Sequence, residues 1–299
     1  MGILYIESQL KNSDGVSIFD SKNILSKNLI KTNCLIKINI IMSILKSVKA
    51  GRFAIEKERL EEYTKKVLKK HEDFKDILPG EFKNVPPVVW FGDVEDERDR
   101  VLVISANPHN PENYLKSAEH WNDEEIKKDY SSYIGKLISD YSKYFCGDYS
   151  KKWFNGIEAF LNGLDASFFD KKTKCKAIHI DLLPFATVSP FKTIADKLME
   201  IDGLPEFINE HIKELIDILN PKLVIVNGDT NFEYFNKCVN IGSQPYKIIY
   251  NGKGGKIWKS CYKINEEYNV ISTSFNMGHR NLSNKTLTNI AKSINKIIW

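Results

Sequence analysis

Four short, largely apolar stretches punctuate the chain, and each runs into a polar turn. Residues 101–104 (Val-Leu-Val-Ile) lead into Ser-Ala-Asn-Pro-His-Asn-Pro. Residues 177–180 (Ala-Ile-His-Ile) lead into Asp181 and then Leu-Leu-Pro-Phe-Ala-Thr. Residues 223–226 (Leu-Val-Ile-Val) lead into Asn-Gly-Asp, and 269–274 (Asn-Val-Ile-Ser-Thr-Ser) into Phe-Asn-Met-Gly-His-Arg-Asn-Leu-Ser. Apolar runs this short suit strands buried on both faces, as in a parallel sheet. Helical periodicity lies between them. Phe207, Ile208, His211, Ile212, Leu215, Ile216 and Leu219 share one stripe of a helix over 205–219, opened by Pro205 and stopped by Asn220-Pro221. Within that stripe His211 reads as packing. Another helix follows Asp229 with Phe232 and Phe235, and a last one starts at Ser283, a good N-cap. The alternation of strand and helix predicts an α/β fold: a three-layer αβα sandwich around a central, mainly parallel sheet of about four strands.

The flanking segments are less regular. Residues 55–73 place Ile55, Leu60, Tyr63, Val67 and Leu68 on one helical side. Lys65, Lys66, Lys69 and Lys70 form a basic face, which is either a solvated surface or a DNA contact. Pro86 and Pro87 keep residues 84–93 out of a central strand, so that stretch is an edge or a loop. Residues 113–170 are mostly helical and rich in aromatics, including Tyr114, Trp121, Tyr144, Trp153 and Phe154. Most of these belong to the core by default, with one close behind the opening strand free to line a pocket. Strand-like alternation at 246–250 and 257–264 flanks Asn-Gly-Lys-Gly-Gly, a hairpin turn. The organisation expected is an α/β domain over 85–299, a helical region over 42–84, and a poorly ordered extension over 1–41 with Met42 as an alternative start. A β-rich N-terminal element using residues 16–19 and 35–38 is the competing reading of that extension.

Composition narrows the function. The chain has 299 residues, 42% hydrophobic and 27% charged, which is a globular balance. No apolar run reaches the ~18 residues of a membrane span. Residues 1–4 lack the basic n-region and apolar core of a signal peptide. Cys34, Cys146, Cys175, Cys238 and Cys261 are odd in number, widely spaced and without a C-x-x-C pair, so free thiols in a reducing cytoplasm are expected. Residues 1–50 hold seven lysines against Glu7, Asp14 and Asp20, which accounts for the whole net charge of +4. Global charge is therefore no argument for nucleic acid; local clustering would have to supply it.

Candidate chemistry sits at the strand ends, where open α/β sheets bind ligands. The first turn presents Asn107, His109, Asn110 and Glu112. His179 and Asp181, two apart, share one face of the second strand. A carboxyl in so apolar a strand is functional, or it caps the following loop through backbone N–H groups. His279 and Arg280 lie in a loop just before a helix N-terminus, a position suited to an anion. No Walker loop, G-x-G-x-x-G or G-x-S-x-G is present, which disfavours nucleoside-triphosphate, dinucleotide and serine-hydrolase chemistry.

In their order, Trp90-Phe91-Gly92-Asp93, residues 101–108, residues 181–187, residues 223–228 and the His279 loop resemble the uracil-DNA glycosylase superfamily over about 85–299. Within it the likeness is to bacterial members that include anti-phage glycosylases acting on modified cytosine. The resemblance implies an enzyme that flips a base out of DNA and hydrolyses its N-glycosidic bond, leaving an abasic site. It implies that Asn107 positions the attacking water, with His109 as a rival, and that His279 stabilises the departing base. Arg280, Asn281, Leu282 and Ser283 would hold DNA, with Arg280 on phosphate and Leu282 as wedge. The usual His-Pro-Ser is replaced here by His279-Arg280-Asn281. Asp181 and Asn227 would read the base. Uracil-cleaving members typically carry Asn at the position of Asp181, and a carboxylate would accept a hydrogen bond from cytosine's amino group and repel the O4 of uracil. A 5-modified cytosine is the substrate expected, with no metal, no cofactor and a monomer acting on DNA. A uracil or mismatch repair glycosylase and a non-catalytic nucleic-acid module are the alternatives.

Overall fold

The apolar run at 101–104 lies inside β1 (Asp99–Ser105), the middle of the sheet. A computed structural model describes residues 56–113, 115–121, 131–146, 152–169, 172–239, 247–252, 254–263, 267–278 and 282–299. Around β1 stand β2 (Ala166–Ser167), β3 (Cys175–Asp181), β4 (Leu223–Asn227), β5 (Lys247–Gly252), β6 (Gly255–Lys263) and β7 (Glu267–Thr273). The sheet order is β2-β3-β1-β4-β7-β6-β5. The first five of these strands are parallel, and β6 and β5 join antiparallel at one edge. The sheet is therefore mixed and seven-stranded, wider than the four strands expected. The hairpin foreseen at 246–264 is an extension of the same sheet, because β6 pairs along β7 from Ile257↔Thr273 to Lys263↔Glu267.

Seven α-helices are found among the described residues: α1 (56–77), α2 (Ser131–Lys143), α3 (Phe154–Gly163), α4 (Phe191–Met199), α5 (Leu204–Leu219), α6 (Asp229–Val239) and α7 (Asn284–Ile298). Every residue of β3 and β4 is buried, so both faces of the sheet's middle are covered. Thr288 of α7 donates its hydroxyl to the Ala159 carbonyl of α3 at 2.8 Å. Elsewhere α1 packs on α5: the Tyr63 hydroxyl meets His211 Nδ1 at 2.9 Å, and Arg59 bridges Glu214 and Asp217. Lys66 pairs with Glu210, so part of the basic face of α1 is turned to the acidic edge of α5.

Residues 56–299 form one compact unit, with α1 packed into it. The expectation for residues 1–41 falls outside the described residues. No helix among the described residues is long and apolar enough to cross a membrane.

One buried ion pair ties the start of α1 to the sheet. Arg100 of β1, 6% exposed, donates to Glu56 at 2.9 Å and to the carbonyls of Leu219 and Val94. Removing one partner leaves a poorly solvated charge, which costs ~3–5 kcal/mol. Glu56→Ala is expected to lower the unfolding free energy by ~3 kcal/mol in urea titration, with the cavity chemistry below unchanged.

The chain order puts β3 and β4 on opposite sides of β1. Such a reversal opens a crevice at the carboxyl ends of the strands, and that crevice holds the candidate site.

Candidate functional site

The carboxyl ends of β1, β3, β4 and β7 open into a cavity of about 850 Å³. Ser105, Asn107 and His109 enter it from the first strand end and Asp181 from the second. Asn227 and Asn231 come from the third, and Ser274 and Asn276 from the fourth. An aromatic wall faces these polar groups, built from Phe91, Tyr144, Trp153 and Phe154. Phe91 reaches it because residues 88–91 run beside β3 without forming a strand. The backbones of Phe91 and His179 exchange hydrogen bonds of 2.7 and 2.9 Å, and their rings stack with centroids 5.6 Å apart. Trp153 and Phe154 meet the His179 ring edge-on, at 5.7 and 5.1 Å.

His179 and Asp181 lie at the base of the cavity, 2% and 3% exposed. Their closest atoms, Nε2 and Oδ1, are 3.7 Å apart, too far for a hydrogen bond. Neither ring nitrogen of His179 has a hydrogen-bond partner among the described residues. Burial lowers the His179 pKa to about 3 and pushes that of Asp181 well above the usual carboxylate range. Burial thus works against charge on both groups, and their 3.7 Å separation is not that of a hydrogen-bonded ion pair. Burial of Tyr144, and secondarily the Asp181 carboxyl when it is ionised, raises the Tyr144 pKa to about 12. These findings weigh against the ionised Asp181 expected from sequence. No cation stands close enough among the described residues to hold the charge, so burial decides. They also leave the loop-cap alternative without support, since no described backbone N–H reaches the carboxyl.

Asn107 is held differently. Its Nδ2 donates to Thr187 Oγ1 at 2.9 Å and to the Phe185 carbonyl at 3.3 Å. Both amide hydrogens are engaged, and Oδ1 remains as an acceptor with no partner among the described residues. His109 is exposed at the mouth, its Nε2 3.1 Å from Asn110 Nδ2. Lys192 and Asp229 also line the cavity, both exposed side chains. Burial raises the Asp229 pKa.

Asn227 lines the cavity, but its amide works as a clamp. Oδ1 accepts from Met277 N at 2.8 Å, and Nδ2 donates to Asn276 Oδ1 at 3.3 Å. The loop after β7 is thereby fixed to the end of β4. Two glycines let it approach α3: a Cβ on Gly156 would lie 1.8 Å from the Met277 carbonyl oxygen, and one on Gly278 would lie 2.3 Å from Trp153 Nε1. His279, Arg280 and Asn281, which this loop carries next, lie outside the described residues. Leu282 does not line the cavity; it packs beside Gly254 against the core. Ser283 is the N-cap of α7 and accepts from Thr286 N at 3.1 Å.

The cavity therefore joins Asn107, His109, His179, Asp181 and Asn227, five of the residues singled out from sequence. It adds Asn276 and the aromatic wall. Trp121, by contrast, is buried against His71 and Tyr133. Among the described residues, no group of three or more His, Cys, Asp or Glu is placed to hold a metal ion. No protein-family model matches the chain, and no curated protein matches it.

Proposed function

We propose that this chain is a DNA glycosylase that hydrolyses the N-glycosidic bond of a flipped, 5-modified cytosine and leaves an abasic site. The observation that carries the reading is the pairing of an aromatic wall with a buried, unsatisfied polar edge. Phe91, Tyr144, Trp153 and Phe154 suit the faces of a planar ring. His179 and Asp181 supply donors and acceptors at its edge, which a flipped base requires. A buried imidazole with two idle nitrogens is costly unless a ligand completes it.

Size admits a substituted base. A pyrimidine of eight non-hydrogen atoms fills at most ~240 Å³, even at the ~30 Å³ that liquid water takes per oxygen. The cavity of about 850 Å³ takes such a base with its sugar and leaves space for a 5-substituent. Asn107 Oδ1 accepts one hydrogen of a water and aims its oxygen at the sugar C1′. An amide is too weak a base to deprotonate that water early. The bond to the base must then break well before the water bonds, which makes departure of the base the difficult step.

Alkali-labile strand cleavage tests the proposal, on duplexes with one uracil, cytosine, 5-hydroxymethylcytosine or glucosylated hydroxymethylcytosine. Cleavage confined to a modified cytosine supports it. Cleavage of uracil at the same rate favours the repair reading, and binding without cleavage favours a non-catalytic module. Trp153→Ala removes one face of the stack, worth ~1–3 kcal/mol per base. It is expected to raise the KM for the cleaved duplex ~10-fold to ~100-fold, read from initial rates at varied DNA concentration.

A further inference from the structure

We propose that Asp181 protonates the departing base on a ring nitrogen, and that this transfer, not charge repulsion, restricts the site to aminopyrimidines. The inference rests on the glycosylase reading and deepens it.

The geometry is that of a proton donor kept in reserve. Asp181 ends β3 at the floor of the cavity and is 3% exposed. The titratable groups around Asp181 are His179 on its own strand, His211 of α5 against its backbone, Tyr144 from the turn after α2, His109 from the loop after β1, Lys192 on α4 and Asp229 on α6. Of these, His179 alone comes within 4 Å of the carboxyl in an ion-pair geometry, and burial keeps its ring neutral. Asp181 is buried with no cation paired to it among the described residues, and burial shifts it toward the protonated form in which it would enter the reaction.

A neutral carboxyl offers one O–H and one C=O side by side. Cytosine matches it with N3 as acceptor and the exocyclic amino group as donor. Uracil also matches the pattern as a hydrogen-bonding partner, through O4 and N3–H, so binding alone does not separate the two. Proton transfer does. Cytosine N3 carries a basic lone pair, whereas uracil N3 already bears hydrogen and O4 is a very weak base. As the C1′–N1 bond breaks, its electron pair passes into the ring. The Asp181 proton moves to N3, and the base leaves as a neutral tautomer, with Asp181 left as carboxylate. Water adds its oxygen to C1′ and releases one proton, which restores Asp181 through solvent. One water is consumed, one C–N bond is broken and one C–O bond is formed. His179, 3.7 Å away with idle nitrogens, is placed to hydrogen-bond the carboxylate after a small approach.

The test is single-turnover base release from pH 5 to 10. It uses duplexes carrying one 5-hydroxymethylcytosine, one 5-formylcytosine or one uracil, with the full chain and with Asp181→Asn. The formyl group withdraws electrons and eases departure of an unprotonated base. Asn keeps the shape and hydrogen bonding of Asp but has no acid proton. Wild type is expected to lose rate on the alkaline side and to release uracil at least ~100-fold more slowly than 5-hydroxymethylcytosine. Asp181→Asn is expected to lower the 5-hydroxymethylcytosine rate ~10²–10⁴-fold, to flatten the alkaline limb, and to lose at least ~10-fold less on 5-formylcytosine. Equal losses on the two modified cytosines with the alkaline limb intact would reduce Asp181 to a recognition residue and overturn the proposal. If the variant does not fold, the wild-type profile decides: a flat alkaline side, or uracil released as fast as 5-hydroxymethylcytosine, overturns it. Base release from no duplex at any pH overturns the glycosylase reading along with it.

Discussion

Asn107→Ala is expected to lower the single-turnover rate of base release by ~10²–10³-fold, the usual effect of deleting one group that orients a reacting atom or its charge. Duplex affinity should be nearly unchanged, because the base is held by the aromatic wall and the Asp181 edge. Stability should also change little. The substitution removes the bonds from Nδ2 to Thr187 and Phe185, a loss of ~1 kcal/mol that corresponds to a few degrees in Tm. A rate loss of this size with binding and Tm retained is the signature of a water-positioning group. A parallel loss of affinity would instead make Asn107 a base or backbone contact.

Stability is expected to fall as pH drops from 7 to 5, with His179 and His211 as the main cause. Burial lowers both pKa values from an ordinary 6.5 to about 3. Unfolding frees each ring to bind a proton, so below pH 6.5 the unfolded chain takes up protons that the folded chain refuses. The stability is present in full above 6.5 and drains away toward 3. Between pH 7 and 5 each ring accounts for ~2 kcal/mol, at about 1.4 kcal/mol per pKa unit. Asp181 works in the opposite direction, since its raised pKa favours the folded state more as pH falls, and it offsets part of the loss. His211→Phe keeps a ring between Tyr63 and Phe207 and removes the titration. Urea melts at pH 7 and 5 should show its pH penalty smaller than that of wild type by ~2 kcal/mol. An unchanged penalty would show that His211 binds a proton equally well in the folded and unfolded chain.

Legibility from sequence followed how local each signal is. The parallel strands announced themselves because a strand buried on both faces is a continuous apolar run, as at 101–104 and 223–226. The hairpin was equally visible through its glycine-rich turn. Its attachment to β7 was not, since an edge pairing between distant segments leaves no mark in either strand. β2, two residues long, and α4 also went unforeseen. Within the site, Asn107 and Asp181 stood out as polar residues at the ends of apolar runs. The upward shift of the Asp181 pKa did not, because it depends on how deeply the fold buries the carboxyl. The aromatic wall comes from residues 91, 144, 153 and 154, separated in the chain and joined only by packing. Asn227 has a similar lesson: a turn asparagine looked free to read a base, yet its amide fixes the neighbouring loop.

The most direct measurement is the mass of whatever small molecule leaves a duplex carrying a single modified cytosine, taken beside the abasic-site count on the same sample. The account predicts an intact free base with its 5-substituent in place, equal in amount to the abasic sites and released ~10²–10³-fold more slowly with Asn107→Ala. A released nucleotide or bare substituent, or no release from DNA that the protein demonstrably binds, would contradict it.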